Sequence, residues 1–203
     1  MEIDGKDAGR MNFELFGKDA PKTVNNFLAF CSGEYSPYTK YRDSYIHKLV
    51  HGKFMVGGDF MNGDGTGSAT VYDSSTITSE KNELKFKEPY LLAAAANSEG
   101  RIGSQFVLTL DSLPVLNGSD HTIFGRLVSG RETVQMIEGM DSFKQAKLHA
   151  ENKHTEQPTK TKVYIKNAGV YKFEGKPNEI RKKSAAGIYD FKPDEFYDAR
   201  KNK

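Results

Sequence analysis

The sequence predicts a mainly β fold: a closed antiparallel barrel whose open ends are plugged by two α-helices, followed by a C-terminal extension. Three observations carry that prediction. Residues 10–16 and 162–166 alternate apolar and polar side chains as half-buried strands do. Between Tyr45 and Phe124, short β-branched and aromatic runs are separated by Gly, Asn, Asp and Ser, the pattern of several strands joined by long loops. Helical spacing occurs once early and once late, so short strands flanked by single helices have to be accommodated in one layered core.

In chain order, Asp4-Gly5 is a strong hairpin turn, and Met11, Phe13 and Leu15 then share one strand face. Pro21 stands where a first helical residue belongs. Val24, Phe27, Leu28 and Cys31 recur at helical spacing until Gly33 ends the run, which gives an amphipathic helix of about three turns. A second helix is expected from about Glu132 to Met140, with Val134, Met136 and Ile137 as its apolar face. Val163 and Ile165 point one way in a closing strand. Ser142 to Thr161 reads as a long polar loop. The folded domain is expected over 1–173, and 174–203 is an extension too aperiodic for a domain of its own.

At 203 residues the chain holds one domain with a full core plus an appendage. With 29 basic and 27 acidic residues, no global field draws it onto nucleic acid, and no nucleic-acid partner is expected. No apolar run approaches the roughly 20 residues of a membrane span. Met1 to Gly5 has neither the basic and apolar regions of a secretory signal nor the pattern of a transit peptide. The single cysteine, Cys31, precludes an internal disulfide and suits an intracellular reducing compartment such as the cytoplasm or a mitochondrion-like organelle matrix; its apolar helical setting makes it a small buried hydrophobe rather than a nucleophile. Asn117-Gly118-Ser119 has the form of a glycosylation sequon but reads as a turn.

Five segments stand in a specific order and spacing: Phe13-Glu14-Leu15-Phe16, Tyr45-Ile46-His47-Lys48-Leu49-Val50, Gly57-Gly58-Asp59-Phe60, Gly103-Ser104-Gln105-Phe106 and His121-Thr122-Ile123-Phe124-Gly125. Together they make the chain resemble a divergent cyclophilin-type peptidyl-prolyl cis-trans isomerase, over about Ile3 to Tyr171. The resemblance implies an eight-stranded barrel capped by two helices, with a clipped first strand. It also implies rotamase activity without a cofactor, and a proline-containing peptide or protein as client.

Rotation about an X-Pro bond faces a barrier near 20 kcal/mol because the amide nitrogen shares its lone pair with the carbonyl. An apolar pocket for the proline ring and a donor aimed at the prolyl nitrogen as it pyramidalises lower that barrier, since the second interaction exists mainly in the transition state. Carried over position by position, the resemblance puts Lys48 where the family's catalytic arginine belongs, Gln105 at the backbone-binding glutamine and His121 at the groove histidine. The pocket positions are Val107, Leu116 and one or both of Phe54 and Met55, and Ala95-Ala96-Asn97 approximates the family's Ala-Asn pair. An ungapped match puts Lys53 at a pocket phenylalanine, whereas a bulge near Gly52 would bring Phe54 there.

Several positions depart from the family pattern. Val107 replaces a second aromatic, Val115 stands where many members have Trp, Val56 takes the place of a second glutamine, and the 117–121 turn is one residue longer. Two functions therefore stay open: an isomerase with a degenerate site, or a catalytically silent subunit that scaffolds a larger assembly. The basic and aromatic tail, with Arg181-Lys182-Lys183, Tyr189, Phe191, Phe196 and Tyr197, is expected to dock onto a partner protein.

Three further features read as structural. His47 suits a structural hydrogen bond. His149 and His154 lack a metal-binding constellation. Gly63-Asp64-Gly65-Thr66-Gly67 lacks the ending of a phosphate or calcium loop, and Asp59 reads as structural.

Overall fold

The structure, a computed structural model, describes residues 1–33, 35–140 and 162–170. The polar loop with His149 and His154, and the whole of the tail, lie outside the described residues. Two short strands, β1 (Glu2–Ile3) and β2 (Lys6–Asp7), form the expected hairpin, with Asp4 and Gly5 at φ +48° and +76° in its turn. β3 (Asn12–Leu15) leads to helix α1 (Pro21–Ser32), which has Pro at its first position and ends on Gly33 in the left-handed conformation at φ +67°. Then follow β4 (Lys48–Val50), β5 (Phe54–Gly57), β6 (Ile77–Thr78), β7 (Leu91–Ala96) and β8 (Arg101–Thr109). A 3-10 turn at Pro114–Leu116, β9 (Thr122–Ser129), helix α2 (Arg131–Glu138) and β10 (Val163–Tyr164) complete the described fold.

The strands pair antiparallel in the order β3-β9-β7-β8-β5-β4, with β6 also on β8, while β10-β1-β2 form a second, three-stranded sheet. Val24, Phe27 and Phe30 of α1, Val134 and Ile137 of α2, and Met55, Leu92, Ile102, Phe106, Leu108 and Phe124 of the sheet bury into one core. Its centre is an aromatic cluster in which Tyr41 meets Phe27, Phe30, Phe60 and Phe106 at centroid distances of 5.2–6.0 Å. The Tyr41 hydroxyl donates to the Ser104 carbonyl at 2.6 Å, which satisfies its one buried polar atom.

The closed eight-stranded barrel does not appear: among the described residues the two sheets are not closed into one ladder by hydrogen bonds. At one seam Ser44 and Ile46 exchange backbone bonds of 2.7–2.9 Å with Val163 and Ile165 before the chain turns into β4. At the other, the strand that would continue the ladder is broken between β2 and β3. There Gly9 takes φ +95° and its N–H turns aside to the Asp7 carboxylate at 2.9 Å. A residue in that conformation cannot extend a pleated ladder.

Helix α1 shows where tertiary structure supplies what local sequence lacks. Its N-cap, Ala20, has no side chain to satisfy the first N–H groups. Glu80 does so from 57 residues away, accepting from the Thr23 N–H and hydroxyl at 2.7 Å each and from the Lys22 N–H at 3.1 Å. Cys31 is half-buried against the main core, and burial pushes its thiol up to about 12, as expected of a packing residue.

Candidate active site

The site forms on the face of β4, β5 and β8 turned away from the core. The β4–β5 ladder pairs Lys48 with Val56, Leu49 with Met55 and Val50 with Phe54, and its turn is closed by Lys53 N–H donating to Val50 C=O at 2.9 Å. Directly opposed residues share a face and successive residues alternate. Lys48, Val56 and Phe54 therefore lie on one face and Met55 on the other.

That register settles the choice left by the sequence. Met55 is fully buried in the main core, so its assignment to the pocket is corrected, and the aromatic on the site face is Phe54. No bulge is needed, and Lys53 is an exposed turn residue. Phe54 packs into a second apolar cluster with Phe86, Leu91, Ala93, Leu113, Ile123 and Leu116. Of these, Phe86 and Leu113 were not singled out from the sequence, although the alternation Leu84-Lys85-Phe86-Lys87 carries the signal.

β8 extends this face. Val56 pairs with Val107, which places Val107 beside the Lys48–Val56 pair and Gln105 two residues further along. Both Gln105 amide hydrogens are taken, by Gly65 C=O at 2.8 Å and Gly67 C=O at 2.7 Å. Lys48 is exposed, and its Nζ lies 5.7 Å from the Phe54 ring centroid. Among the described residues no carboxylate pairs with it. The ring face provides a weak cation–π anchor of about 0.5–1 kcal/mol at an exposed site.

The far wall comes from residues 113–122. Leu116 ends the 3-10 turn, and the next residues form the expected turn, with Gly118 at φ +83° and Ser119 N–H donating to Leu116 C=O at 3.1 Å. His121 Nδ1 accepts from the Ala96 N–H at 3.0 Å. The same nitrogen lies 3.2 Å from the Ala94 carbonyl oxygen, so the ring is held against β7 through Nδ1. The β7–β8 register shifts between Ala94 and Ala96, so Ala95 has no partner in either flanking ladder. A shallow cleft of ≈ 100 Å³, walled by Lys81, Leu84, Lys85, Leu116, Asn117 and His121 among others, adjoins this wall.

Behind the site, Asp59 is 1% exposed and accepts backbone N–H groups from Asn62 at 2.9 Å, Gly65 at 2.8 Å and Gly67 at 3.1 Å. Burial opposes its ionisation, yet the backbone N–H groups of Asn62, Gly67, Gly63 and Gly65 outweigh burial and hold the carboxyl at about 2. The carboxylate thereby organises the glycine-rich loop around it. His47 differs from expectation, because its buried Nδ1 has no hydrogen-bond partner among the described residues. Burial lowers its pKa below 6.5, partly offset by Asp59 and Asp64 and reinforced by Lys48.

The consequence of the His47 shift for stability has a definite sign. The unfolded state binds the proton more readily than the folded state, so stability is full above about pH 6.5 and is lost as pH falls from there through the lowered folded value. On acidification from pH 7 to 5, wild-type Tm should fall further than that of His47→Gln. A wild-type advantage that grows toward pH 5 contradicts the burial argument.

Comparison with known proteins completes the assignment. The family model described as cyclophilin type peptidyl-prolyl cis-trans isomerase/CLD matches residues 1–170. The chain belongs to the cyclophilin family. A curated relative, "Peptidyl-prolyl cis-trans isomerase 9" of Caenorhabditis briggsae, is 35% identical over 193 residues; the alignment covers 92% of this chain, which spans 57% of that relative's length. A crystal structure of a Cryptosporidium parvum cyclophilin, obtained in the presence of the dipeptide Ala-Pro, superposes with a TM-score of 0.65 at 30% identity, covering 84% of this chain and 96% of that one. A second structure of the same parasite protein gives a TM-score of 0.63 at 29% identity over 81% and 91%. The described residues thus have a cyclophilin fold, mainly β with two helices, whose ladder is left open.

In cyclophilin terms, Val115 matters as much as Lys48. It is 85% exposed on the 3-10 turn beside Leu116, where many family members carry Trp. Cyclosporin, the ligand typical of the family, loses both ring surface and indole N–H there. Truncating such an aromatic anchor typically costs 2 kcal/mol or more, so binding should be weaker than nanomolar by at least about thirtyfold. A nanomolar titration by calorimetry would contradict this.

Proposed function

We propose that this chain is a peptidyl-prolyl cis-trans isomerase in which Lys48 supplies the cation and Phe54, Val107 and Leu116 the proline pocket. The observation that carries the reading is the placement of the Lys48 ammonium over the Phe54 ring, on the face shared with Val107 and Gln105. An apolar floor with a cation at its rim is what the twisted amide requires. The proline ring seats against Phe54, Val107 and Leu116, while Lys48 Nζ donates to the prolyl nitrogen as it pyramidalises. His121 and the backbone at Ala95 and Ala96 hold the peptide. No covalent step occurs, and neither metal nor cofactor has a role in this scheme. Exchange spectroscopy by NMR on an Ala-Pro peptide tests it: cis and trans signals should interconvert faster with protein than without.

A second reading, a binding subunit with a silent site, is favoured by one observation. Lys48 is solvent-exposed and among the described residues has no hydrogen-bonding or ionic partner to fix it, and Val56 opposite offers it no amide. Under either reading the client is a proline-containing protein, and residues 174–203 provide a docking segment for a larger assembly in an intracellular reducing compartment. Truncation at Glu174 should leave Tm within a few degrees and remove co-purifying partners. Retention of every partner contradicts the docking role.

A further inference from the structure

We propose that Asp59 is a positioning residue that, through the backbone of Gly65 and Gly67, fixes the Gln105 carboxamide with its Oε1 presented as an acceptor for a client N–H. The inference rests on the peptide-binding reading of this face and assigns a task to the glycine-rich loop, which no other part of the scheme uses.

The chain of contacts is short and complete. The buried Asp59 carboxylate accepts the N–H groups of Gly65 and Gly67, and the carbonyls of the same two residues accept the Gln105 amide hydrogens. A carboxamide has two donor hydrogens and one acceptor oxygen, so with both hydrogens committed only Oε1 is left for a ligand. The reverse orientation would aim that oxygen at two carbonyl oxygens and is excluded by repulsion.

The loop between Asp59 and Gln105 leaves little or no space for a side chain at its glycines. Gly63 at φ +74° lies against the Tyr45 phenol, and Gly65 at φ +91° would bring a Cβ to 3.3 Å from His47 Nε2. A Cβ on Gly67 would collide with Asp59 itself. The buried Asp59 carboxylate thus reaches the site face without touching it. Val56 sharpens the consequence, since it stands where a second glutamine is usual and leaves Gln105 as the carboxamide among the proposed site residues.

Asp59→Ala tests this, because one carboxylate oxygen accepts both the Gly65 and the Gly67 N–H and the other accepts the Asn62 N–H, and only loss of the whole group is certain to remove the link to the loop. Affinity for a blocked Ala-Ala-Pro-Ala peptide should weaken about fivefold, the value of one lost hydrogen bond. In a Gln105→Ala background the same substitution should weaken it no further, while its effect on Tm is the same in both backgrounds. Additive losses in affinity would overturn the proposal, since a merely structural role lowers Tm and affinity alike in both.

A second measurement follows the Gln105 side chain directly. In the wild-type protein both Gln105 side-chain amide protons should exchange slowly with solvent, and replacing one peptide N–H by an ester oxygen should cost about as much as Gln105→Ala. Exchange that stays equally slow in Asp59→Ala overturns the Asp59 link, and rapid exchange in the wild type overturns the Gln105 bonds to the loop. If every ester analogue binds like the parent peptide, the acceptor role is wrong. A protein that binds no proline peptide removes the underlying reading, and the amide exchange then still decides whether Asp59 holds Gln105.

Discussion

Lys48→Arg is expected to raise kcat/KM about a hundredfold, and Lys48→Ala to abolish what activity there is, by the usual worth of one preorganised donor in a transition state. The expected gain follows from how the lysine is held. Its ammonium is a compact charge on a flexible stem, solvent-exposed, with a ring face at 5.7 Å and, among the described residues, no carboxylate to fix it. Each turnover must therefore select a productive rotamer from several. A guanidinium at the same Cα can stack flat on Phe54 and present a rigid fork toward the pocket. NMR exchange rates for wild type and the two variants decide the matter, and equal rates for all three would remove Lys48 from the mechanism.

A large loss of stability is expected at Gly58, and an internal control is available. Gly58 has φ +90°, and a Cβ there would collide with the Ser104 carbonyl oxygen and stand 3.0 Å from Phe106 and 3.1 Å from Tyr41. Gly52 has a similar φ of +67° but nothing within 4 Å of its absent Cβ. Gly52→Ala should cost about 1 kcal/mol for the left-handed backbone alone. Gly58→Ala adds overpacking against backbone and two rings, for a total of about 3 kcal/mol or more. At roughly 2–4 °C per kcal/mol for a domain of this size, the two variants should differ in Tm by about 5 °C or more. Similar melting curves would mean that Gly58 is retained for its dihedral angle alone.

What the sequence revealed, and what it hid, follows from the range of the interactions. The ends of α1 were legible because Pro21 and Gly33 act through their own backbones, and the Asp4-Gly5 turn for the same reason. The strand at Lys48 was legible because the spacing of its motif is covalent. The choice between Phe54 and Met55 was not legible, since it depends on the parity of a turn whose geometry only the folded chain fixes. The open ladder was hidden as well: Gly9 reads as an ordinary loop residue until its φ is known. Glu80 capping a helix 57 residues away, and a His47 Nδ1 enclosed without a hydrogen-bond partner among the described residues, are consequences of packing with no local signature.

The valine at position 115 has an optical consequence. The chain contains no tryptophan, so its ultraviolet emission comes from 10 tyrosines, and Tyr41 among them is deeply enclosed. Val115 projects into solvent at the rim of the pocket with its neighbour Leu116 forming the wall. An indole introduced there would be the sole fluorophore of its kind, excited at wavelengths to which tyrosine is nearly blind. Its emission would shift as a peptide displaced water from the groove, and client titrations could be followed by light alone, without labels.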